Sequence, residues 1–249
     1  MDYMEKQFFQ SFNCIVKPAG FERYPHGYIR IVNDVMQGFE LYRSSTGRTA
    51  TLRFDIIPIC SPFSNFSDIG FETYSVYQLK ERIDPGEPYT PRERPEIDKC
   101  IIQLKNKYVS WLYPFFQKSE SCESALPNIL EVERRICGKD TLRPNANIMY
   151  MALEAKNWDY ASQQIQLLLS QRKSALSARA AATGLLPTPV ELRVNEQLEA
   201  LLAMIDDENY KAIEAHIKNN ETHNRNAIKD GARRDLQRTE QQGHRENTF

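Results

Sequence analysis

The sequence predicts an α+β protein: an antiparallel sheet of about four strands covered by helices, followed by a helical-hairpin C-terminal region. Three observations carry this. Between Gly27 and Cys60 the runs GYIRIVN, VMQGFELYRSS and TATLRFDIIPIC alternate apolar and polar residues, with turn-forming residues between them. Pro85, Pro88, Pro91 and Pro95 then fall within a few residues of one another, which is incompatible with helix interior and removes sheet donors. Beyond Pro95 the apolar residues return at helical spacing. Three regions follow: an α+β domain over 1–140, helical hairpins over 141–218 and a polar, flexible tail over 219–249.

Each element has its own warrant. Met4, Phe8, Phe12 and Ile15 line one stripe of a first helix, and Pro18 and Gly20 stop it. In the first strand Ile29 and Ile31 share a face, opposed by Tyr28, Arg30 and Val32; Asn33 and Asp34 supply turn chemistry. In the second, Phe39 and Leu41 point one way and Glu40 and Tyr42 the other, and the polar run ending at Gly47 is a hairpin loop. Ala50, Leu52, Phe54 and Ile56 alternate against Thr51, Arg53 and Asp55 until the phase slips at Ile57, before Pro58, marking a bulge or the strand end. A loop is expected from Ser61 to Gly70, and a fourth strand through Phe71, Thr73, Ser75, Tyr77 and Leu79. The proline cluster connects this half to the helical half.

Ile97, Ile101, Leu104, Tyr108, Trp111, Leu112 and Phe115 then form a broad helical stripe, with Pro114 at a kink or the last turn. A helix after Ser121 carries Leu126, Ile129, Leu130 and Val132 and closes at Gly138, near Arg134 and Arg135. Helices over Asn147–Ala155 and Tyr160 to about Ala181 join at Lys156, Asn157, Trp158 and Asp159 as an antiparallel hairpin. Leu192, Leu198, Leu201, Leu202 and Ile205, a turn over Asp206–Asn209, and Tyr210, Ile213 and Ile217 echo it. EAKNWDYASQQIQ aligned with DDENYKAIEAHIK makes a weak internal repeat. From Asn219 onward apolar residues thin to Ala227, Ile228, Ala232 and Leu236 among interleaved charges, the composition of a solvated, partly helical or disordered tail.

Composition narrows function. With 32 basic and 33 acidic residues and a net charge of −1, the chain of 249 residues has no overall field to gather nucleic acid or an anionic membrane. Its apolar runs are too short for a bilayer, and MDYMEKQFFQ lacks the basic start and apolar run of a signal peptide, so a cytoplasmic setting without membrane partners is expected. Cys14, Cys60, Cys100, Cys122 and Cys137 are scattered without a CxxC pair and read as reduced thiols.

No catalytic constellation stands out. The histidines are His26, His216, His223 and His244, none in a local motif, and His26 between Pro25 and Gly27 reads as a turn residue. There is no HxxxH, HxH or EF-hand spacing and no GxGxxG or GxxxxGK[ST], so neither metal nor cofactor is expected. Glu191, Glu196 and Glu199 read as a solvated helix face. The candidate partner-binding surface is the outward sheet face carrying Tyr28, Arg30, Glu40, Tyr42, Arg53 and Asp55; the competing reading is an ordinary solvated face with cross-strand ion pairs.

The turn followed by W-D-Y-A resembles a tetratricopeptide helical hairpin over Ala152 to Leu169. The first half, on Gly20, Phe21, Tyr28, Arg30, Gln37, Phe39, Leu52, Phe54, Ile56 and the WLYPFF run ending at Phe116, resembles an uncharacterised bacterial family known only as a domain of unknown function. That resemblance covers Phe8 to Gly138 and implies an α+β fold and a bacterial cytosolic setting, with no activity and no site. By analogy of architecture, such proteins often serve as immunity or adaptor proteins. The leading expectation is therefore a non-enzymatic module that binds a protein partner through the sheet face or the C-terminal hairpins, as an immunity or defence component. A second reading is an enzyme or small-ligand binder using Tyr28, Arg30, Tyr42 and Arg53 in a pocket between sheet and helices; a third is nucleic-acid binding by the Arg-containing tail.

Overall fold

A computed structural model describes residues 3–24, 27–43, 50–62, 74–75, 94–137 and 144–246. The chain forms two compact units, Met1–Ile57 with Phe71–Leu142, and Pro58–Gly70 with Arg143–Phe249. The expected turn at His26, the hairpin loop ending at Gly47, the loop from residue 63 to Gly70, the connector at Pro85, Pro88 and Pro91, and the closure at Gly138 lie outside the described residues. Of the expected fourth strand, only Tyr74 and Ser75 are described.

The first unit opens with α1 (Tyr3–Val16). A short 3-10 turn over Lys17–Ala19 follows, ending on Gly20 at φ 81°, a left-handed conformation that glycine adopts without a Cβ penalty. The sheet runs in sequence order, β1 (Glu22–Tyr24), β2 (Gly27–Val32), β3 (Val35–Arg43), β4 (Ala50–Pro58) and β5 (Tyr74–Ser75). The pairs β1–β2, β2–β3 and β4–β5 are antiparallel. Six residues separate β3 from β4, too few for a parallel crossover, so the whole sheet is antiparallel. β1 carries no apolar alternation, which is why the pattern of the sequence does not reveal it. Val32 pairs with Val35 across a turn of Asn33 and Asp34, with Asn33 at φ 49°.

One correction concerns β2. Tyr28 is the cross-strand partner of Phe39 and is fully buried, while Ile31 is 39% exposed. The inward face of β2 is therefore the Tyr28–Arg30–Val32 face, the reverse of the expectation from apolarity. The reason lies in what covers it: Phe8 and Phe9 of α1 pack on the Tyr28 ring, and its hydroxyl reaches the Phe9 carbonyl at 3.2 Å and Asn13 Oδ1 at 3.0 Å. A tyrosine can enter a core when its hydroxyl finds a partner. In β3 and β4 Phe39, Leu52, Phe54 and Ile56 face inward as expected, but the opposite face is not simply solvated: Met36, Thr51, Asp55 and Ile57 are buried as well.

The helical cover is α2 (Arg94–Lys107), a π-helical turn over Tyr108–Leu112, α3 (Tyr113–Gln117) and α4 (Cys122–Cys137). Pro114 does not end the helix. It has no N–H, and its ring would collide with the carbonyl four residues back, at Ser110; the wider π turn lies at that residue and lets the helix continue to Gln117. Tyr108 and Phe116 meet Phe39 at centroid distances of 4.9 and 6.4 Å, closing an aromatic core with Phe12 and Phe21. The β2–β3 turn secures the start of α4: Asp34 Oδ1 accepts from the Cys122 N–H at 3.0 Å, and Asn33 donates to the Glu120 carbonyl at 2.9 Å.

The second unit contains α5 (Ala146–Glu154), α6 (Trp158–Thr183), α7 (Pro189–Asp206) and α8 (Tyr210–Glu246). Consecutive helices pack on one another and α8 returns to α5, closing a four-helix arrangement. The two internal repeats share one turn geometry. Asn157 and Asn209 donate to the carbonyls of Ala152 and Met204, Lys156 and Glu208 to those of Leu153 and Ile205, and Lys156 and Glu208 have φ of 56° and 54°. This is the hydrogen-bond pattern of a Schellman ending, twice. Helix α8 continues through Asn219 with Asn224 and Ile228 buried, so part of the stretch expected as a solvated tail belongs to the packed unit.

Candidate functional site

The six residues of the expected surface do not form one. Tyr28 and Arg30 lie on the helix-covered face of the sheet, whereas Glu40, Tyr42, Arg53 and Asp55 alternate onto the opposite face. Tyr28 is buried in the aromatic core and Asp55 is only 3% exposed, with its Oδ1 accepting from the Ile56 N–H at 2.8 Å. Arg53 stacks over the Tyr42 ring, a cation–π pair within one face. Tyr28 and Arg30 therefore do not converge with Tyr42 and Arg53, as the pocket reading requires.

Arg30 is built into the framework. Its Nε donates to Gln37 Oε1 at 2.8 Å, one terminal nitrogen to the Ala19 carbonyl at 2.9 Å and the other to Glu120 Oε1 at 3.2 Å. Gln37, fully buried, passes its own amide hydrogens to the carbonyls of Phe116 and Ser119 at 2.8 and 2.6 Å. The Phe116 carbonyl at the end of α3 also accepts from the Ser119 N–H at 3.1 Å, and Ser119 follows the helix, so Gln37 ties the helix end and the chain after it to the sheet.

The surface feature with the chemistry of a contact site lies instead at the tip of the α6–α7 hairpin. Gly184 closes α6 at φ 69° and donates to the Ala180 carbonyl at 2.8 Å. Thr188 opens α7 through a capping box with Glu191, and Pro189 follows it at the first helical position. The intervening chain and first turn of α7 leave four large apolar side chains in solvent: Leu185 at 60%, Leu186 at 81%, Val190 at 69% and Leu192 at 46% exposure.

The tip is held rigidly. Arg179 of α6 grips Glu191 of α7 through two hydrogen bonds of 2.6 and 2.8 Å, a bidentate pair. Glu191 thus holds the hairpin together and is not simply part of a solvated face. The Arg179 guanidinium, with the backbone and side chain of Thr188, holds the Glu191 carboxyl down at about 2. Further along the hairpin Arg172 donates to Asn195 at 2.8 Å and Lys173 pairs with Glu199 at 2.8 Å. The stretch GLLPTPVEL carries the signal in the sequence; periodicity passes over Leu185, Leu186 and Val190 and counts Leu192 in the apolar stripe of α7, where it is 46% exposed.

A second cluster gathers on α8. His216, Asn220 and Asn224 recur every four residues and face the segment Ile59–Ser61 and Tyr150 of α5. Among the described residues, no group of three or more His, Cys, Asp or Glu is placed to hold a metal ion, and no helix is long and apolar enough to cross a membrane. No family model, no curated protein and no solved structure matches the chain.

Proposed function

We propose that this protein is a protein-interaction module that acts without chemistry of its own, docking a partner protein at the tip of the α6–α7 hairpin. The observation that carries the reading is the exposure of Leu185, Leu186, Val190 and Leu192 on a hairpin fixed by the Arg179–Glu191 pair and two helix caps. Large apolar side chains left in solvent on a rigid mount favour burial against another surface. The partner that fits is a protein offering a small apolar recess. The patch is limited to four side chains, and Arg172, Lys173 and Arg179 beside it already bond within the hairpin, which leaves little to attract nucleic acid.

The experiment is affinity capture from the native host with the wild-type chain and with the double variant Leu186→Glu/Val190→Glu, followed by binding measurements on the purified pair. Wild type is expected to hold a stoichiometric partner that the variant loses, at unchanged thermal stability because both positions are exposed. Equal binding by both chains would remove the tip from the proposal. Assignment as a bacterial immunity or defence component is the narrower form of the same proposal, and it stands if the captured partner is a toxin or a defence effector.

A further inference from the structure

Three consecutive residues, Ile59, Cys60 and Ser61, form a turn closed by the Ser61 N–H on the Pro58 carbonyl at 3.0 Å, and this short strap lies against α8 in the second unit. All three are buried. Their carbonyls are read by two amides one helical turn apart: Asn224 donates to Ile59 and Ser61 at 2.6 Å each, and Asn220 donates to Cys60 at 3.1 Å. The Cys60 thiol donates to the Tyr150 carbonyl at 3.6 Å, and Ser61 donates to Asn147 Oδ1 at 2.8 Å, both on α5. The strap is therefore fixed by hydrogen bonds to its backbone, and those bonds depend on how the two asparagine amides are turned.

His216, one turn before Asn220, decides that orientation. Asn220 Nδ2 lies 3.2 Å from His216 Nε2 while also facing the Cys60 carbonyl. A carbonyl can only accept, so the NH2 end of Asn220 must point that way, and its second hydrogen falls on Nε2. Nε2 is then an acceptor and the imidazole is neutral with its proton on Nδ1. The Tyr150 hydroxyl, 3.5 Å from the same nitrogen, is placed to donate to it as well.

A proton on Nε2 reverses this arrangement. It would set a donor against the Asn220 NH2, and relief requires the amide to turn its oxygen toward the ring, which takes its hydrogen away from the buried Cys60 carbonyl. We propose that His216 is a pH-sensitive latch: neutral, it holds Asn220 on the Cys60 carbonyl, and protonated, it frees that carbonyl and loosens the strap, which Asn224 still holds at Ile59 and Ser61.

The surroundings favour the neutral form. Among the described residues, the titratable groups facing the ring are Tyr150 from α5 and, beyond it, Cys60 from the strap, and burial pushes the Tyr150 phenol up to about 12. On α8 itself Glu214 is engaged by Lys156, and on α7 Glu199 is engaged by Lys173. Burial lowers the affinity of His216 for a proton. The sign follows. A histidine whose folded pKa is depressed contributes stability that is present above its unfolded value, about 6.5, and is lost as the pH falls through the folded value. The Cys60 carbonyl is latched at neutral pH and freed in acid, so the strap loosens there.

The test is amide hydrogen exchange of Cys60 and Ser61 in the full chain, corrected for the intrinsic pH dependence of exchange, together with the imidazole nitrogen shifts of His216. Wild type should lose protection by roughly tenfold or more between about pH 7.5 and pH 5, and the shifts should show the Nδ1-protonated tautomer at neutral pH. His216→Gln, the residue type that the first repeat carries at Gln164, should keep the strap protected at both pH values. Asn220→Ala should leave it exchanging fast at both. Wild-type protection that does not change with pH, a pH response retained in either variant, or an Nε2-protonated ring at neutral pH would each overturn the latch.

Discussion

Trp158 stacks on Tyr210, with ring centroids 4.8 Å apart and planes 15° from parallel. The two residues occupy the same place in the two repeats, one residue after Asn157 and Asn209, so the aromatic that follows each turn finds its partner in the other turn. Lys156 joins the same contact through its ion pair with Glu214 at 2.7 Å, which is exposed and adds little. The double Ala variant should cost less than the sum of the two single Ala variants, by a coupling of about 1 kcal/mol in a double-mutant cycle by chemical denaturation. Additive effects would mean the stack does not tie the repeats together.

Two buried tyrosines give opposite predictions. The Tyr28 hydroxyl bonds to Phe9 and Asn13, whereas the Tyr108 hydroxyl is buried with no hydrogen-bond partner among the described residues. Tyr28→Phe should destabilise by about 1 kcal/mol, and Tyr108→Phe should be neutral or stabilising, because it removes a polar atom that gains nothing in the core. Thermal melts of the two variants check both at once. A surface role for Tyr28 would instead leave stability unchanged.

Gln37 is the only described bond between Arg30 and the end of α3 that runs through a buried amide. Gln37→Leu keeps most of the volume but takes the amide from the Ser119 carbonyl, leaves the Phe116 carbonyl with the Ser119 N–H alone, and removes one acceptor from Arg30. A loss of about 2–4 kcal/mol is expected in urea denaturation, since buried groups deprived of partners cost more than a single exposed bond contributes. A change below about 0.5 kcal/mol would show that water replaces the amide.

Glu191 makes the hairpin tip sensitive to acid. Its folded pKa, about 2, lies below the ordinary carboxyl value, so its contribution is present above about pH 4.5 and fades as the pH falls toward 2. The melting-temperature difference between wild type and Glu191→Gln should be largest above about pH 5 and shrink toward zero in strong acid. A difference that is constant with pH would show that the carboxylate charge plays no part in the Arg179 contact.

Much of the fold is legible in the residues, and the misreadings have physical causes. The alternation of Phe39, Leu52, Phe54 and Ile56 marks the buried face of β3 and β4 because those side chains are purely apolar and have only one favourable side. Period two also runs through β2, but there both faces carry apolar groups, and ranking isoleucine above tyrosine picks the wrong one. What sets the phase is Phe9 and Asn13, contributed by α1 from earlier in the chain. The candidate surface failed for the same reason: charge and aromaticity in Arg30 and Tyr28 look like exposure until their partners are known. His216 gave no signal: Asn220 lies one turn along the same helix, but Tyr150 and Cys60, which give the pair its meaning, stand far away in the sequence.

By itself the sequence determined the order of elements, the change from strand to helix, the turn residues and the repeat of one hairpin, because each of these depends on neighbours within a few positions. Tertiary structure decided which side of β2 is inside, how the helix passes Pro114, how far α8 belongs to the packed unit, and which polar groups meet. Those outcomes rest on hydrogen bonds and ring contacts between distant segments, such as Gln37 with Ser119 and Asn224 with Ile59, and no local pattern encodes a partner that lies many residues away.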